Sequence, residues 1–133
     1  MTRPKILVVD DDPDLVRALR LRLKANNYEV STATDGYTAI ASAQKERPAL
    51  IILDLGLPVG DGFIVLERLQ NSDTLSGVPV IVLSARDPHS NEERALKAGA
   101  AAFFQKPADN DELMNVIRVS LSPTHSQTAA WPS

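Results

Sequence analysis

Acidic side chains follow two apolar runs of this chain, and a lysine follows a third. Asp10, Asp11 and Asp12 come directly after one run, Asp54 after another, and Lys106 after the last. Clustered carboxylates repel one another and are costly to bury without a counter-charge, and Mg²⁺ binds such groups together with water and a substrate phosphate. If the fold brings these residues together, they predict a magnesium site at which Asp54 attacks a phosphoryl donor as a carboxylate nucleophile.

Two further side chains fit the same chemistry. The Lys106 ammonium would neutralise charge on a transferring phosphoryl group, and the Ser84 hydroxyl would bond one of its oxygens. Taken singly, Ser84 is explained equally well as a strand-end cap, and a lysine such as Lys106 is more often a solvated surface residue. Asp12 is better explained as a helix cap, because Pro13 follows it. The prediction therefore depends on the whole set.

Five short apolar runs must position these residues. The first, third and fourth are rich in Ile, Val and Leu, which is typical of parallel strands buried on both faces. The second and fifth are more polar, as edge strands are. The runs cover residues 5–9, 28–32, 49–53, 78–83 and 101–104.

Stretches with a helical period separate the runs. The first helix is predicted to begin at Asp12-Pro13 and to end near Asn26, and the others are predicted at 36–46, 62–71, 90–98 and 110–121. Such alternation indicates right-handed βαβ units with helices on both sheet faces. Ligands of these sheets bind beyond the carboxyl ends of the strands, where the candidate residues would meet.

The bulk properties agree with one α/β domain. The 133 residues suit a single domain, predicted at 1–121 and followed by a flexible tail or the start of a linker at 122–133. There is no cysteine, and the net charge of −3 gives no broad attraction for nucleic acid or anionic lipid. Because no signal peptide or membrane-spanning segment is visible, we expect a cytoplasmic protein with no membrane or direct nucleic-acid binding.

Four segments, in this order and spacing, resemble the response-regulator receiver family. They are ILVVDDD at 6–12, ILDLGLP at 52–58 with DG at 61–62, VLSA at 82–85, and QKP at 105–107. The resemblance covers about residues 4 to 121. It implies a flavodoxin-like (βα)5 three-layer sandwich, a parallel five-stranded sheet of order 2-1-3-4-5, and a role in two-component signalling. A receiver assists its own phosphorylation and dephosphorylation and is not otherwise an enzyme.

The resemblance also implies roles for individual residues. Asp10 and Asp11 would form the acidic metal pocket, with Asp11 a direct ligand of Mg²⁺ or Mn²⁺. Asp54 would accept the phosphoryl group from a sensor histidine kinase or phosphotransfer protein and would also contact the metal. The backbone carbonyl of Gly56 would complete the protein ligands.

Further implied roles concern the response to phosphorylation. Ser84 would be the switch hydroxyl, Lys106 the phosphoryl contact and Pro107 a cis-proline. Phe103 would be the aromatic that reorients, although a phenylalanine is more often a core residue than a switch residue. The face formed by the fourth helix, fifth strand and fifth helix would then bind an unidentified output partner or a second copy of the chain.

Two residues depart from what many receivers place near the phosphoryl site. Gly56 lacks a side chain, and Arg86 stands two residues after Ser84. We hypothesise that both affect how water reaches an acyl phosphate on Asp54 and so set its lifetime.

Three alternatives are weighed against the receiver. A haloacid-dehalogenase-like phosphatase would use Asp10 as nucleophile, but the segment from Asp10 to Asp14 matches that motif only in part and leaves Asp54 unexplained. A flavin-binding module would need a phosphate-cradling loop where three aspartates stand. The third alternative is a receiver-shaped protein that binds partners without being phosphorylated, against which the intact acidic set argues.

Overall fold

The computed structural model describes residues 3–57 and 61–122. Within them, five strands alternate with five helices along the chain, as the sequence predicts. Each apolar run lies between polar residues that end the strand and begin the next helix. The elements are β1 (Lys5–Val9), α1 (Pro13–Ala25), β2 (Glu29–Ala33), α2 (Gly36–Glu46), β3 (Leu50–Leu53), α3 (Gly62–Asn71), β4 (Val80–Ser84), α4 (Pro88–Lys97), β5 (Ala102–Gln105) and α5 (Asn110–Leu121).

The strands form one parallel sheet in the order β2-β1-β3-β4-β5. Every residue of β3 and β4 is buried, and so are the last four of β1. The edge strands β2 and β5 are more exposed. The flavodoxin-like architecture and the two edge positions predicted from the sequence are thus confirmed.

Alternate residues of the central strands face two separate apolar cores. Leu7, Val9, Ile51 and Leu53 lie in the core beneath α2, α3 and α4. The intervening residues contact α1 and α5, with Leu19, Leu23, Leu113 and Ile117 supplied by those helices. A strand points successive side chains to opposite faces, so four apolar residues in a row place two in each core. The sheet is thereby held rigidly between two helical layers.

Each helix begins at an aspartate whose carboxylate caps free backbone N–H groups. The caps are Asp12, Asp35, Asp61, Asp87 and Asp109. The predicted start of α4 at residue 90 was wrong, because Asp87 accepts a hydrogen bond from His89 N and Pro88 occupies the first turn. This Asp-Pro pair repeats the start of α1 at Asp12-Pro13.

Strand β1 matches its predicted run, and the ends of the other strands differ from theirs by at most two residues. The largest shift concerns β4, which begins at Val80 and not at Val78, and which includes Ser84 as its last residue. Ser122 caps the end of α5, and the rest of the predicted tail lies outside the described residues. Among the helices described, none is both long and apolar enough to cross a bilayer.

Candidate functional site

Three of the predicted site residues continue the hydrogen-bond ladder of the sheet just past their own strands. Asp10 N donates to Ala33 O at 3.1 Å, and Asp54 N donates to Val9 O at 2.9 Å. Lys106 N donates to Ser84 O at 2.8 Å. Because the backbone of each residue is bonded to the neighbouring strand, the sheet fixes the spacing between their side chains. The predicted gathering at one sheet edge is observed.

Lys106 links the two buried aspartates of this edge. Its Nζ lies 2.7 Å from Asp10 Oδ2 and 3.7 Å from Asp54 Oδ2. Asp10 is 2% exposed and Asp54 7% exposed, so both carboxylates are largely removed from water. The other Asp10 oxygen accepts a hydrogen bond from Asp12 N at 3.0 Å. The lysine provides part of the counter-charge that two buried carboxylates need.

Burial changes the proton affinity of both partners. Burial raises the pKa of Asp54 above its ordinary value, and the negative charges of Asp10 and Asp11 raise it further. The hydrogen bond from Gly56 N–H and the positive charge of Lys106 lower it, but by less. Burial alone would lower the pKa of Lys106, but the hydrogen bond to Asp10 and the charges of both carboxylates outweigh it and raise that pKa. Lys106 therefore stays protonated, and ionisation of Asp54 is less favourable than that of a solvent-exposed aspartate.

The carboxylates of Asp10, Asp11 and Asp54 lie close enough to share one cation. One oxygen from each falls within 4.8 Å of the others. Asp11 is exposed, whereas the other two are buried. An all-oxygen set with one side open to water matches the preference of Mg²⁺ for a few carboxylates and retained waters. The donor set therefore fits the ion expected from the sequence.

Two glycines shape the loop that follows Asp54. Gly56 N donates to Asp54 Oδ1 at 3.2 Å, and a Cβ built on Gly56 would lie 3.8 Å from Asp54 Oδ2 without a clash. A Cβ on Gly62 would lie 2.4 Å from Leu55 Cα and 2.7 Å from Asp54 O. Gly62 is thus required for α3 to pack on the backbone beside Asp54, a role that its place in the sequence did not reveal.

Ser84 and Phe103 occupy different surroundings. Ser84 is fully buried, and its Oγ accepts a hydrogen bond from Arg86 N at 3.1 Å. Phe103 is partly buried and packs against the core beneath α2, α3 and α4. The Lys106–Pro107 peptide bond is cis, as expected. The switch roles of Ser84 and Phe103 stay predictions.

A group of four side chains beside the site was not predicted. Arg86 Nη2 lies 4.0 Å from Asp61 Oδ2, and its Cζ lies 5.9 Å from the centre of the Phe63 ring. Arg94 Cζ lies 3.7 Å from the same centre. We call Asp61, Phe63, Arg86 and Arg94 the arginine cluster. No sequence spacing signals it, because α3, α4 and the loop after β4 contribute its members.

Comparison with known proteins agrees with this geometry. Residues 6–118 match the family described as "Response regulator receiver domain". The transcriptional regulatory protein KdpE of Mycobacterium tuberculosis is 42% identical over 116 residues, which are 87% of this chain and 50% of KdpE. The chain spans between a quarter and about half the length of the curated relatives it matches.

Solved structures show the same architecture. A CheY-like receiver domain protein from Methanospirillum hungatei superposes with a TM-score of 0.86 at 26% identity, over 94% of this chain and 98% of that one. The receiver domain of the sensor histidine kinase PA1611 from Pseudomonas aeruginosa, solved with a magnesium ion in its active site cleft, gives 0.82 at 28% identity, over 90% and 98%. The family is a signalling family and not one of enzymes in the usual sense. With the matched residues spanning all five strands, the chain belongs to the response regulator receiver domain family of two-component systems.

Proposed function

We propose that this chain accepts a phosphoryl group on Asp54 from the phosphohistidine of a sensor kinase or phosphotransfer protein. The observation that carries the proposal is the position of the buried Asp54 carboxylate at the end of β3. It lies 3.7 Å from the Lys106 ammonium and within 4.8 Å of oxygens on Asp10 and Asp11. This combination supplies a nucleophile together with charges that stabilise its phosphorylated form.

The transfer needs one bond to form and one to break. An Asp54 oxygen attacks phosphorus while the N–P bond of the phosphohistidine breaks, and the imidazole keeps the electron pair of that bond. A divalent cation held by Asp10, Asp11, Asp54 and the Gly56 carbonyl would neutralise charge on the phosphoryl oxygens when bound. Lys106 would also contact the phosphoryl oxygens, exchanging part of its interaction with Asp10 for an interaction with the phosphoryl group.

Phosphorylation would then change the partner-binding face. Ser84 Oγ would leave its hydrogen bond with Arg86 N and contact the phosphoryl group, and space for Phe103 would open below it. The result is a population shift that alters the surface of α4, β5 and α5, to which an output partner binds. The cytoplasmic location expected from the sequence belongs to the same proposal.

Asp54 is favoured over Asp10 as the nucleophile because of their contacts. Both Asp10 oxygens accept hydrogen bonds, from Lys106 Nζ and from Asp12 N. Asp54 Oδ2 has the looser contact with Lys106, which leaves it more available to attack. This argues against the phosphatase alternative, in which Asp10 would react.

The test is incubation with acetyl phosphate and Mg²⁺, followed by intact-mass measurement. We expect the wild type to gain the mass of one phosphoryl group, and we expect Asp54→Asn to gain none. Chelating Mg²⁺ should abolish the gain, and Asp10→Asn should reduce it by weakening metal binding. Uptake that persists in Asp54→Asn and disappears in Asp10→Asn would favour the phosphatase. No uptake by the wild type would favour a partner-binding protein that is not phosphorylated.

A further inference from the structure

The arginine cluster joins the end of the loop that carries Asp54 to the loop that follows β4. Arg86 lies on the loop after β4, and its N–H donates to Ser84 Oγ at 3.1 Å. Asp61 caps α3 by accepting from Phe63 N at 2.8 Å, and the adjacent Gly62 N donates to Leu55 O at 3.1 Å. The Arg86–Asp61 pair therefore connects the backbone beside Ser84 to the helix that packs on the backbone beside Asp54.

The charges of the cluster are unbalanced without Asp61. Arg94 covers the buried Phe63 ring at 3.7 Å, and Arg86 lies 5.9 Å from the same ring. An aromatic ring attracts a guanidinium, but two guanidinium groups at one ring repel each other. Among the described residues, Asp61 is the sole carboxylate within 4.0 Å of a nitrogen on either arginine. Asp61 thus compensates the second positive charge and keeps Arg86 beside α3.

A phosphoryl group on Asp54 would compete for the same guanidinium. It carries close to two negative charges and three acceptor oxygens, and it attracts arginine more strongly than a single carboxylate does. Arg86 is two residues from Ser84, which is the residue proposed to move toward that group. In the structure Arg86 lies 4.0 Å from Asp61 while its backbone N–H donates to Ser84 Oγ at 3.1 Å. The two interactions favour the same, unphosphorylated arrangement of the loop.

We propose that Asp61 is a positioning residue that holds Arg86 beside α3 and so opposes phosphorylation of Asp54. The inference rests on the proposed function and deepens it, because it assigns regulation of the same site to a residue outside the acidic pocket. The Arg86 and Asp61 side chains are 38% and 43% exposed, so solvent weakens the pair. The expected effect is about threefold, as for an ion pair partly open to water.

The test uses beryllofluoride, a phosphoryl mimic, with Mg²⁺. Asp61→Asn removes the charge but keeps a side-chain oxygen for the helix cap, so α3 should stay intact. We expect Asp61→Asn to bind beryllofluoride about threefold more tightly than the wild type in calorimetric titrations, with the difference shrinking at high salt. Asp61→Ser, also a good cap, should give the same result.

A double-mutant cycle separates this effect from a change in structure. In an Arg86→Gln background, Asp61→Asn should leave beryllofluoride affinity unchanged, because the residue that Asp61 restrains is gone. Asp35→Asn is the matched control: it neutralises the cap of α2, whose described contacts are with Thr38 and include no arginine. Asp35→Asn should bind beryllofluoride as the wild type does.

The outcomes are distinct. The inference would be overturned if Asp61→Asn and the wild type bound beryllofluoride equally tightly. It would also be overturned if Asp61→Asn increased beryllofluoride affinity as much in the Arg86→Gln background as in the wild type. A gain of the same size in Asp35→Asn would show a general effect of net charge, which also overturns it. Each of these leaves the proposed function standing, since the wild type would still bind the mimic and take up phosphoryl groups at Asp54. A wild type that does neither would overturn both proposals.

Discussion

Asp54 is a charged group that the fold buries and only partly compensates. Without a bound cation, its charged neighbours are the carboxylates of Asp10 and Asp11 and the Lys106 ammonium, which is itself hydrogen-bonded to Asp10. We predict that Asp54→Asn raises the free energy of unfolding in Mg²⁺-free buffer at pH 7 by on the order of 1 kcal/mol, because it removes a buried like charge. Urea denaturation would measure this, and a destabilised variant would contradict it.

The gain from Asp54→Asn should depend on pH in a defined direction. The pKa of Asp54 is raised above its ordinary value of 3.8 in the folded state, so Asp54 ionises less readily in the folded protein than in the unfolded chain. The free energy of unfolding therefore falls as pH rises from 3.8 through the folded-state pKa. The advantage of the Asn variant should be full above that window and should vanish below it. Denaturation curves recorded across the acidic range would test the direction. A constant advantage at every pH would mean that charge is not its cause.

The open space at Gly56 makes a prediction about the lifetime of the phosphorylated form. A Cβ at this position would meet the Asp54 oxygens at ordinary contact distance, so a larger side chain can cover them. We predict that Gly56→Leu slows loss of the phosphoryl group several-fold by excluding water, as measured by intact mass after removal of the donor. Gly56→Asn, whose side chain is smaller and polar, should slow it less because its amide can hydrogen-bond a water. Unchanged decay in Gly56→Leu would remove the hypothesis.

At the scale of elements, the contact between α3 and the loop after Asp54 depends on the absence of a side chain at Gly62. Gly62→Ala would place a methyl group 2.4 Å from Leu55 Cα, and a backbone atom cannot rotate away. We predict a loss of about 3 kcal/mol in the free energy of unfolding, the upper range for overpacking. Gly77→Ala is the control, because nothing lies within 4 Å of its Cβ position. Equal stability of the two variants would contradict the prediction.

The sequence predicted the elements better than it predicted the contacts between them. Apolar runs identified the strands, since burial on both faces leaves a continuous pattern, but the start of α4 was misplaced because the capping pair Asp87-Pro88 was overlooked. The gathering of Asp10, Asp54 and Lys106 followed from the rule that ligand-binding residues of such sheets lie beyond the carboxyl ends of the strands. The Arg86–Asp61 pair could not be predicted, because it depends on side-chain conformation between elements 25 positions apart.

At the scale of the whole molecule, the surface around the edge strand β5 carries exposed apolar side chains. Leu96 on α4 is 43% exposed, and Val119 on α5 is 36% exposed. We predict that beryllofluoride and Mg²⁺ convert the chain to a dimer through this face. Light scattering after size exclusion should show a doubled mass, and Leu96→Glu with Val119→Glu should prevent the doubling by placing charges in an apolar contact.

Leu21 provides the control for this prediction. It is 67% exposed on α1, away from β5, so Leu21→Glu places a glutamate on an exposed apolar position elsewhere. We expect Leu21→Glu to dimerise as the wild type does. If the wild type stays monomeric with the mimic bound, or if the α4–α5 variant still dimerises, this face serves no self-association.

The backbone bonds from Asp10, Asp54 and Lys106 into the neighbouring strands have a consequence for how the protein fails on heating. Amides that are hydrogen-bonded to a neighbouring strand exchange with solvent deuterium through larger openings of the domain, whereas loop amides exchange through local fluctuations. The amides of Asp10, Asp54 and Lys106 should therefore exchange as slowly as those of the core. Reactivity toward acetyl phosphate should accordingly be lost together with the fold during thermal inactivation, and not before it.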